Sequence, residues 1–134
     1  MFKLIKIQNS GVNVPEPTIL KKSTDNAIKL GEALILEDGL LIACPSTVIP
    51  SYVALCNAKH EDSEITVFEI NSNMLFETTV NTTPASLLVG EKVTLACDDD
   101  GSTVMVTATT SAGVATIVDL MGASKSGDKI TVKF

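Results

Sequence analysis

One short pattern occurs twice in this sequence, and it constrains the fold more than any other feature. The first copy spans residues 30–36 (LGEALIL) and the second spans residues 89–95 (VGEKVTL). In each copy an apolar residue precedes a Gly-Glu pair, and a run of strand-forming residues begins directly afterwards. Because Gly31 and Gly90 lie 59 residues apart in matching contexts, the pattern indicates a duplicated β-unit.

The residues after each copy also match. Each copy is followed by an Asp-Gly turn, a further run of strand formers and a closing strand, at 37–39, 52–56 and 64–68 in the first half and at 98–101, 115–120 and 129–134 in the second. The closing strands are 65 residues apart (Glu64 and Lys129), so the copies differ by loop insertions. We expect two halves, about 27–70 and 86–134, with the same strand order.

Short strands at regular spacing, separated by turn residues, are typical of an all-β barrel or sandwich. No window of 11 residues keeps a helical period. The sequence therefore predicts an all-β fold, a small barrel or sandwich built from two pseudo-repeated β-units. With 134 residues, residues 27–134 are expected to form a single β domain, preceded by an N-terminal strand and an extended arm over residues 1–26.

The predicted arm is polar and contains two prolines, which hold the backbone extended without donating hydrogen bonds. An ordinary surface loop and a segment that lies on a partner are both consistent with this composition. If the arm binds a partner, its apolar side chains and prolines are the expected contacts: Val12, Val14, Pro15, Pro17, Ile19 and Leu20.

Composition excludes several classes of partner. The net charge is −6 and arginine is absent, which argues against a nucleic-acid partner because such proteins carry a clustered basic face. No apolar stretch approaches the ~20 residues that a membrane-spanning helix needs. The N-terminal residues alternate apolar with Lys and form no secretory signal, so we expect synthesis in a cytoplasm and no membrane partner.

The three cysteines show no disulfide framework. Cys44, Cys56 and Cys97 have apolar or strand-like neighbours, and an odd number without regular spacing predicts reduced, mostly buried thiols. Replacing any one with Ala or Ser should then change stability modestly and leave partner binding intact.

Three further groups suggest chemistry, and each has a simpler explanation. The run from Asp98 to Asp100 does not fit a calcium loop, because its Gly and a final Glu are not at the required positions; a solvated turn is expected. His60 has too few nearby ligands for zinc and is expected in an exposed loop. Glu32 and Glu91, at matched repeat positions, are expected to accept backbone N–H groups. We therefore predict no catalytic residue, metal or cofactor, and a protein that is not an enzyme.

Several stretches together resemble a known family. They are the N-terminal strand, the proline-containing arm, the GEAL run with its turn Gly, the VGEKVTL run, the VTATT and GVATIV runs, and the terminal GDKITVKF strand. This combination resembles the head decoration, or capsid cement, proteins of tailed phages and prophages. The resemblance covers most of the chain and implies a structural virion protein that binds the outer surface of the capsid and stabilises the shell.

The resemblance also implies partners and a location. The partners would be the phage major capsid protein and other copies of the chain, a trimer being the expected homo-oligomer, and the location the capsid exterior after synthesis in the host bacterial cytoplasm. The alternative is a non-catalytic β-barrel binding module or a phage tail or baseplate component. An apolar pocket with convergent polar groups would favour a small-ligand binder.

Overall fold

The structure is a computed structural model, and it describes residues 1–8 and 15–134. These residues contain no helix. They form twelve strands: β1 (Lys3–Ile7), β2 (Thr18–Lys21), β3 (Ala33–Glu37), β4 (Leu40–Ala43), β5 (Tyr52–Ala54), β6 (Glu64–Glu69), β7 (Met74–Thr79), β8 (Lys92–Val93), β9 (Leu95–Cys97), β10 (Thr103–Val106), β11 (Ala115–Asp119) and β12 (Lys129–Lys133). The predicted all-β class is confirmed.

The strands form three antiparallel sheets within the described residues. One five-stranded sheet has the order β2-β6-β5-β3-β4, and the other has the order β1-β7-β12-β11-β8. The third sheet is the hairpin β9–β10. Thr94 lies between β8 and β9, so the strand that is continuous as β3 in the first half is interrupted in the second.

Strand pairing follows the same order twice. β2 to β6 correspond to β7, β8 with β9, β10, β11 and β12, and β1 is an additional strand beside β7. Matched hydrogen bonds support this correspondence. The Gly31 N–H donates to the Ala54 carbonyl (2.8 Å), and the Gly90 N–H donates to the Ile117 carbonyl (2.9 Å). The repeat therefore extends to hydrogen bonds as well as strand order.

Each half is a strongly curled sheet. An isolated parallel bridge joins Lys22, just after β2, to Leu41 in β4, and the matched bridge joins Val80 to Val106. These bridges bring β2 beside β4 in the first half and β7 beside β10 in the second, so the first and last strands in each half's order lie next to each other. No continuous ladder closes either sheet among the described residues, so the choice between barrel and sandwich stays a prediction.

The described residues form two apolar clusters. The smaller belongs to the first half and includes Leu34, Ala54 and Val67. The larger combines second-half residues with residues of the first half, among them Phe68, which stacks on Phe76 with ring centroids 6.1 Å apart. Burial of this shared cluster makes the two halves one packing unit, since apolar burial is the main favourable term in folding.

The predicted arm needs correction. Residues 18–21 form β2, whose Ile19 and Leu20 pair with Thr66 and Ile65 of β6. Leu20 packs on the first-half cluster, and this burial together with the ladder hydrogen bonds makes the segment part of the sheet. The first repeat unit thus begins at Thr18 and not near residue 27. Val12 and Val14 lie outside the described residues.

Candidate binding surface

Four of the predicted partner-binding residues lie in the described part of the chain. Pro15 and Leu20 are half-buried, while Pro17 and Ile19 are exposed. Ile19 is 65% exposed although it belongs to a strand. It lies opposite Thr66, whose carbonyl accepts the N–H of Leu55. Because paired residues share a sheet face, Ile19 and Leu55 lie on the same face of the first sheet.

An apolar groove of about 420 Å³ runs along this face, between the first residues of the chain and strands β5 and β6. Pro15 lines it, together with Met1, Leu4, Leu30, Leu55 and Phe68. Among the described side chains that line this groove, in residues 1–8 and 15–134, only Lys3 is charged. The groove, together with exposed Ile19 on the same face of the first sheet, is the candidate binding surface, hereafter the β2 surface.

Sequence reasoning did not identify Leu30 and Leu55 as parts of this surface. Each has a signal that could have identified it. Leu30 is the apolar residue before the repeated Gly-Glu pair, and Leu55 continues the apolar run of β5 beyond its buried residues. Both are exposed despite their size, and exposed apolar side chains that cluster around a groove mark an interaction site.

The repeated glutamates hold the same turn. The Glu32 Oε2 accepts the N–H of Lys29, and the Glu91 Oε2 accepts the N–H of Leu88, both at 2.8 Å. The interpretation of these residues as backbone acceptors is therefore correct. Glu32 makes a second contact, since its Oε1 accepts the N–H of Thr103 in the other half at 3.3 Å. Burial raises the pKa of the Glu32 carboxyl above its ordinary value.

The aspartate turn is more than a solvated tip. The Lys29 Nζ lies 2.6 Å from carboxylate oxygens of both Asp98 and Asp100. Asp98 also accepts the N–H groups of Asp100 and Ser102. The hydrogen bond from Lys29 lowers the pKa of Asp98. This turn therefore joins the two halves by charge.

The remaining titratable candidates stay apart. His60 is exposed in a loop, with its Nδ1 3.1 Å from the Asp25 carbonyl oxygen, as expected. No cluster of three His, Cys, Asp or Glu side chains that could hold a metal occurs in residues 1–8 and 15–134. The described residues also contain no apolar helix of the length that a bilayer crossing requires.

The predicted burial of the cysteines was wrong for two of the three residues. Cys44 is buried, and burial raises the pKa of its thiol to about 12. Cys56 and Cys97 are exposed. Cys56 follows the end of β5 and Cys97 is the last residue of β9, so neither lies inside a packed strand. All three are free thiols.

Comparison with known proteins gives a likeness of fold. No protein-family model matches the sequence, and no curated protein matches it. The structure is similar to the crystal structure of the head fiber gp8.5 N base in bacteriophage phi29, with a TM-score of 0.55 and 13% sequence identity. The match covers 89% of this chain and 94% of that chain. This chain therefore shares its fold with that head fiber N base over 89% of the chain's length.

Proposed function

We propose that this chain is a structural virion protein that binds the outer surface of a phage capsid and stabilises the shell. The observation that carries the proposal is the fold shared with the phi29 head fiber base, which covers 89% of this chain. The resemblance of its sequence stretches to head decoration proteins supports the same role. A protein that binds only the assembled shell stabilises it by mass action.

The proposed partners are the phage major capsid protein and other copies of this chain, in a homo-oligomer that we expect to be a trimer. The chain would be made in the bacterial cytoplasm and end on the capsid exterior. We propose no catalytic activity. The β2 surface suits contact with a partner protein, because the side chains that line its groove in the described part of the chain are apolar apart from Lys3.

The contact with the capsid is assigned to the β2 surface. Exposed Ile19 lies on the same sheet face as Leu55 of the groove, and Pro15 lines the groove. Proline limits the entropy lost when a segment is immobilised on a partner. The described residues supply no convergent polar groups to the groove. Such a lining suits a protein contact better than a small ligand, since small-ligand sites use several placed polar groups for orientation. A small-ligand binding module is the weaker candidate for this reason.

The test is binding to expanded capsids of the encoding phage or prophage, prepared without this chain. Ile19→Asp and Leu55→Asp each place a charge on the β2 surface at an exposed apolar residue. We expect saturable binding by the wild type and at least tenfold weaker binding by each variant, which corresponds to about 1.4 kcal/mol. Deleting residues 1–20 is a poor test, because it removes β1 and most of β2.

Met121→Asp is the matched control. Met121 is also exposed and apolar, but it lies in the loop before β12 and does not line the groove. Wild-type binding that saturates and is weakened equally by all three variants would remove the assignment to the β2 surface. Absence of any wild-type binding would overturn the capsid proposal itself.

A further inference from the structure

The chain contains two Asp-Gly sequences, and each lies at a hairpin turn. Asp38–Gly39 connects β3 to β4 in the first half, and Asp100–Gly101 lies between β9 and β10 in the second. In such a sequence the backbone nitrogen of the glycine can attack the side-chain carboxyl carbon of the aspartate, because glycine has no Cβ to obstruct the approach. What holds the two reacting groups in the folded protein decides whether this reaction occurs.

The second-half turn holds both reacting groups. The Gly101 N–H donates to the Asp98 carbonyl at 3.0 Å, and a carboxylate oxygen of Asp100 lies 2.6 Å from the Lys29 Nζ. The Asp98 carboxylate also accepts the N–H groups of Asp100 and Ser102, and Ser102 is buried. Ring closure at Asp100 would have to break several of these contacts.

The first-half turn holds neither group. Among residues 1–8 and 15–134, the Asp38 carboxylate and the Gly39 N–H have no hydrogen-bond partner. Residues 36–40 are all exposed, and β4 is the last strand in the order of its sheet. The φ of Asp38 is 49°, which is uncommon for a residue that has a Cβ. A turn with so few buried contacts opens locally at a low cost in free energy.

We propose that Asp38 is a site of spontaneous modification, where the turn cyclises to a succinimide and becomes isoaspartate, whereas Asp100 is protected in the folded protein. The Gly39 nitrogen forms a bond to the Asp38 Cγ, and its proton leaves with a carboxyl hydroxyl as water. A water molecule then opens the ring at either carbonyl. Opening at the α-carbonyl leaves the chain running through the side-chain carbonyl, which is isoaspartate, and opening at the other restores aspartate.

The product changes the hairpin. Isoaspartate adds one methylene group to the backbone of a two-residue turn and places a carboxylate outside the chain. The original turn pairs Glu37 with Leu40, and both of its residues have positive φ, as the twist of a two-residue hairpin requires. A longer connection does not keep this geometry, so pairing of β4 with β3 should weaken. This inference goes beyond the proposed function and does not depend on it.

The test incubates the folded chain in mildly acidic and in neutral buffer, at a temperature below its unfolding transition. Peptide mapping by mass spectrometry follows the succinimide, which is lighter by one water, and electron-transfer fragmentation distinguishes isoaspartate from aspartate. We expect severalfold more isoaspartate at residue 38 than at residue 100. In denaturant, where neither turn is formed, the two sites should react at similar rates.

Two variants separate the sites. Asp38→Ser removes the carbonyl carbon that is attacked and should abolish the signal at residue 38. Asp98→Ala releases the N–H groups of Asp100 and Ser102, and it should raise the rate at residue 100 while leaving the rate at residue 38 unchanged. Thermal unfolding checks that each variant is folded, and Lys29→Leu replaces Asp98→Ala if that variant is not.

Three results would overturn the inference. One is a folded chain that gains no isoaspartate at residue 38, and another is a folded chain in which both sites react at the same rate. The third is a ratio between the sites that stays the same in denaturant, because the sequence alone would then set the rates. If neither Asp98→Ala nor Lys29→Leu changes the rate at residue 100, the protection assigned to the second-half turn is wrong.

Discussion

The same turn occurs in two different surroundings in this molecule. In the first half Glu32 is 2% exposed and its carboxylate reaches the other half, whereas Glu91 in the second half is partly exposed and holds its own turn alone. The residues three positions before these glutamates differ too. Lys29 is paired with aspartates of the other half, whereas Leu88 is exposed. The duplication thus kept the backbone of the turn and changed what lies outside it.

Side chains on the outer sheet faces show the same division. Ala33, Val53 and Phe68 of the first half are buried in the shared cluster. Their counterparts in the second half are Lys92, Thr116 and Lys133, of which Lys92 is exposed and the other two are half-buried. The first half therefore provides an apolar outer face to the second, and the second provides a more polar one to its surroundings. The contact between the halves is therefore asymmetric, because it uses an apolar face of the first half whose counterpart in the second half is more polar.

The largest difference is expected at the two repeated glycines. Gly31 and Gly90 both have positive φ, 75° and 94°. A Cβ at Gly31 would lie 2.8 Å from the Met1 Cβ and 2.9 Å from the Phe2 carbonyl oxygen, whereas a Cβ at Gly90 would meet no atom within 4 Å. Gly90→Ala then costs about 1 kcal/mol for the backbone conformation alone, and Gly31→Ala costs about 2–4 kcal/mol because a clash is added.

Denaturant unfolding of the two Ala variants measures this difference directly. The second half serves as the control for the first, since both substitutions change the same backbone position. Equal losses of the free energy of unfolding would mean that the N-terminal residues shift without cost, and the asymmetry of the two turns would be smaller than the structure indicates.

The duplication could be predicted because its signal is local. Gly31 and Gly90 need a conformation that few other residues tolerate, and a run of strand-forming residues follows each of them directly. The role of Lys29 could not be predicted, because its partners, Asp98 and Asp100, are about 70 residues away and are brought near by packing between the halves.

The candidate site was predicted in part for the same reason. Pro15 and Ile19 were identified from the composition of their own segment. In the structure Pro15 lines the groove, and Ile19 is exposed on the same sheet face as Leu55. Leu30 and Leu55 belong to other segments, and their exposure depends on how the first sheet curls. β2 has only four residues, two of them apolar, and so short a pattern does not distinguish a strand from an irregular arm.

A smaller difference is expected at the two glutamates. Glu32→Gln leaves one of two buried N–H groups without its carboxylate acceptor, which costs about 1–2 kcal/mol at pH 7. Glu91→Gln keeps one amide oxygen for the one N–H group and should change stability by less than about 0.5 kcal/mol. Thermal or denaturant unfolding of both variants at the same pH gives the comparison.

The pH dependence distinguishes the buried glutamate further. The folded pKa of Glu32 is raised above its ordinary value of 4.5, so the folded state binds this proton more readily than the unfolded chain. Its contribution to stability is therefore fully present below about pH 4.5 and is lost as the pH rises through the folded pKa. The stability of the wild type relative to Glu32→Gln should increase as the pH falls from 7 toward 4.5. A flat difference would show that burial does not govern this carboxyl.

The smallest effect is expected at Lys29, where the first half can be made to resemble the second. Lys29→Leu places an apolar side chain at the position of Leu88 and removes the contacts with Asp98 and Asp100. Because this lysine is solvent-exposed, its ion pairs contribute little and are screened by salt. The variant should lose a small amount of thermal stability at low ionic strength, and the loss should disappear at high ionic strength.

Acid tests the same ion pair through the titration of its carboxylate. The folded pKa of Asp98 is lowered below its ordinary value of 3.8, so its contribution is present above that pH and is lost as the pH falls through the folded pKa. Thermal unfolding of wild type and variant at two salt concentrations is the measurement, with Leu88→Lys as the reciprocal change. If Lys29→Leu costs the same amount at both salt concentrations, the ion pairs of Lys29 with the aspartate turn do not help to join the two halves.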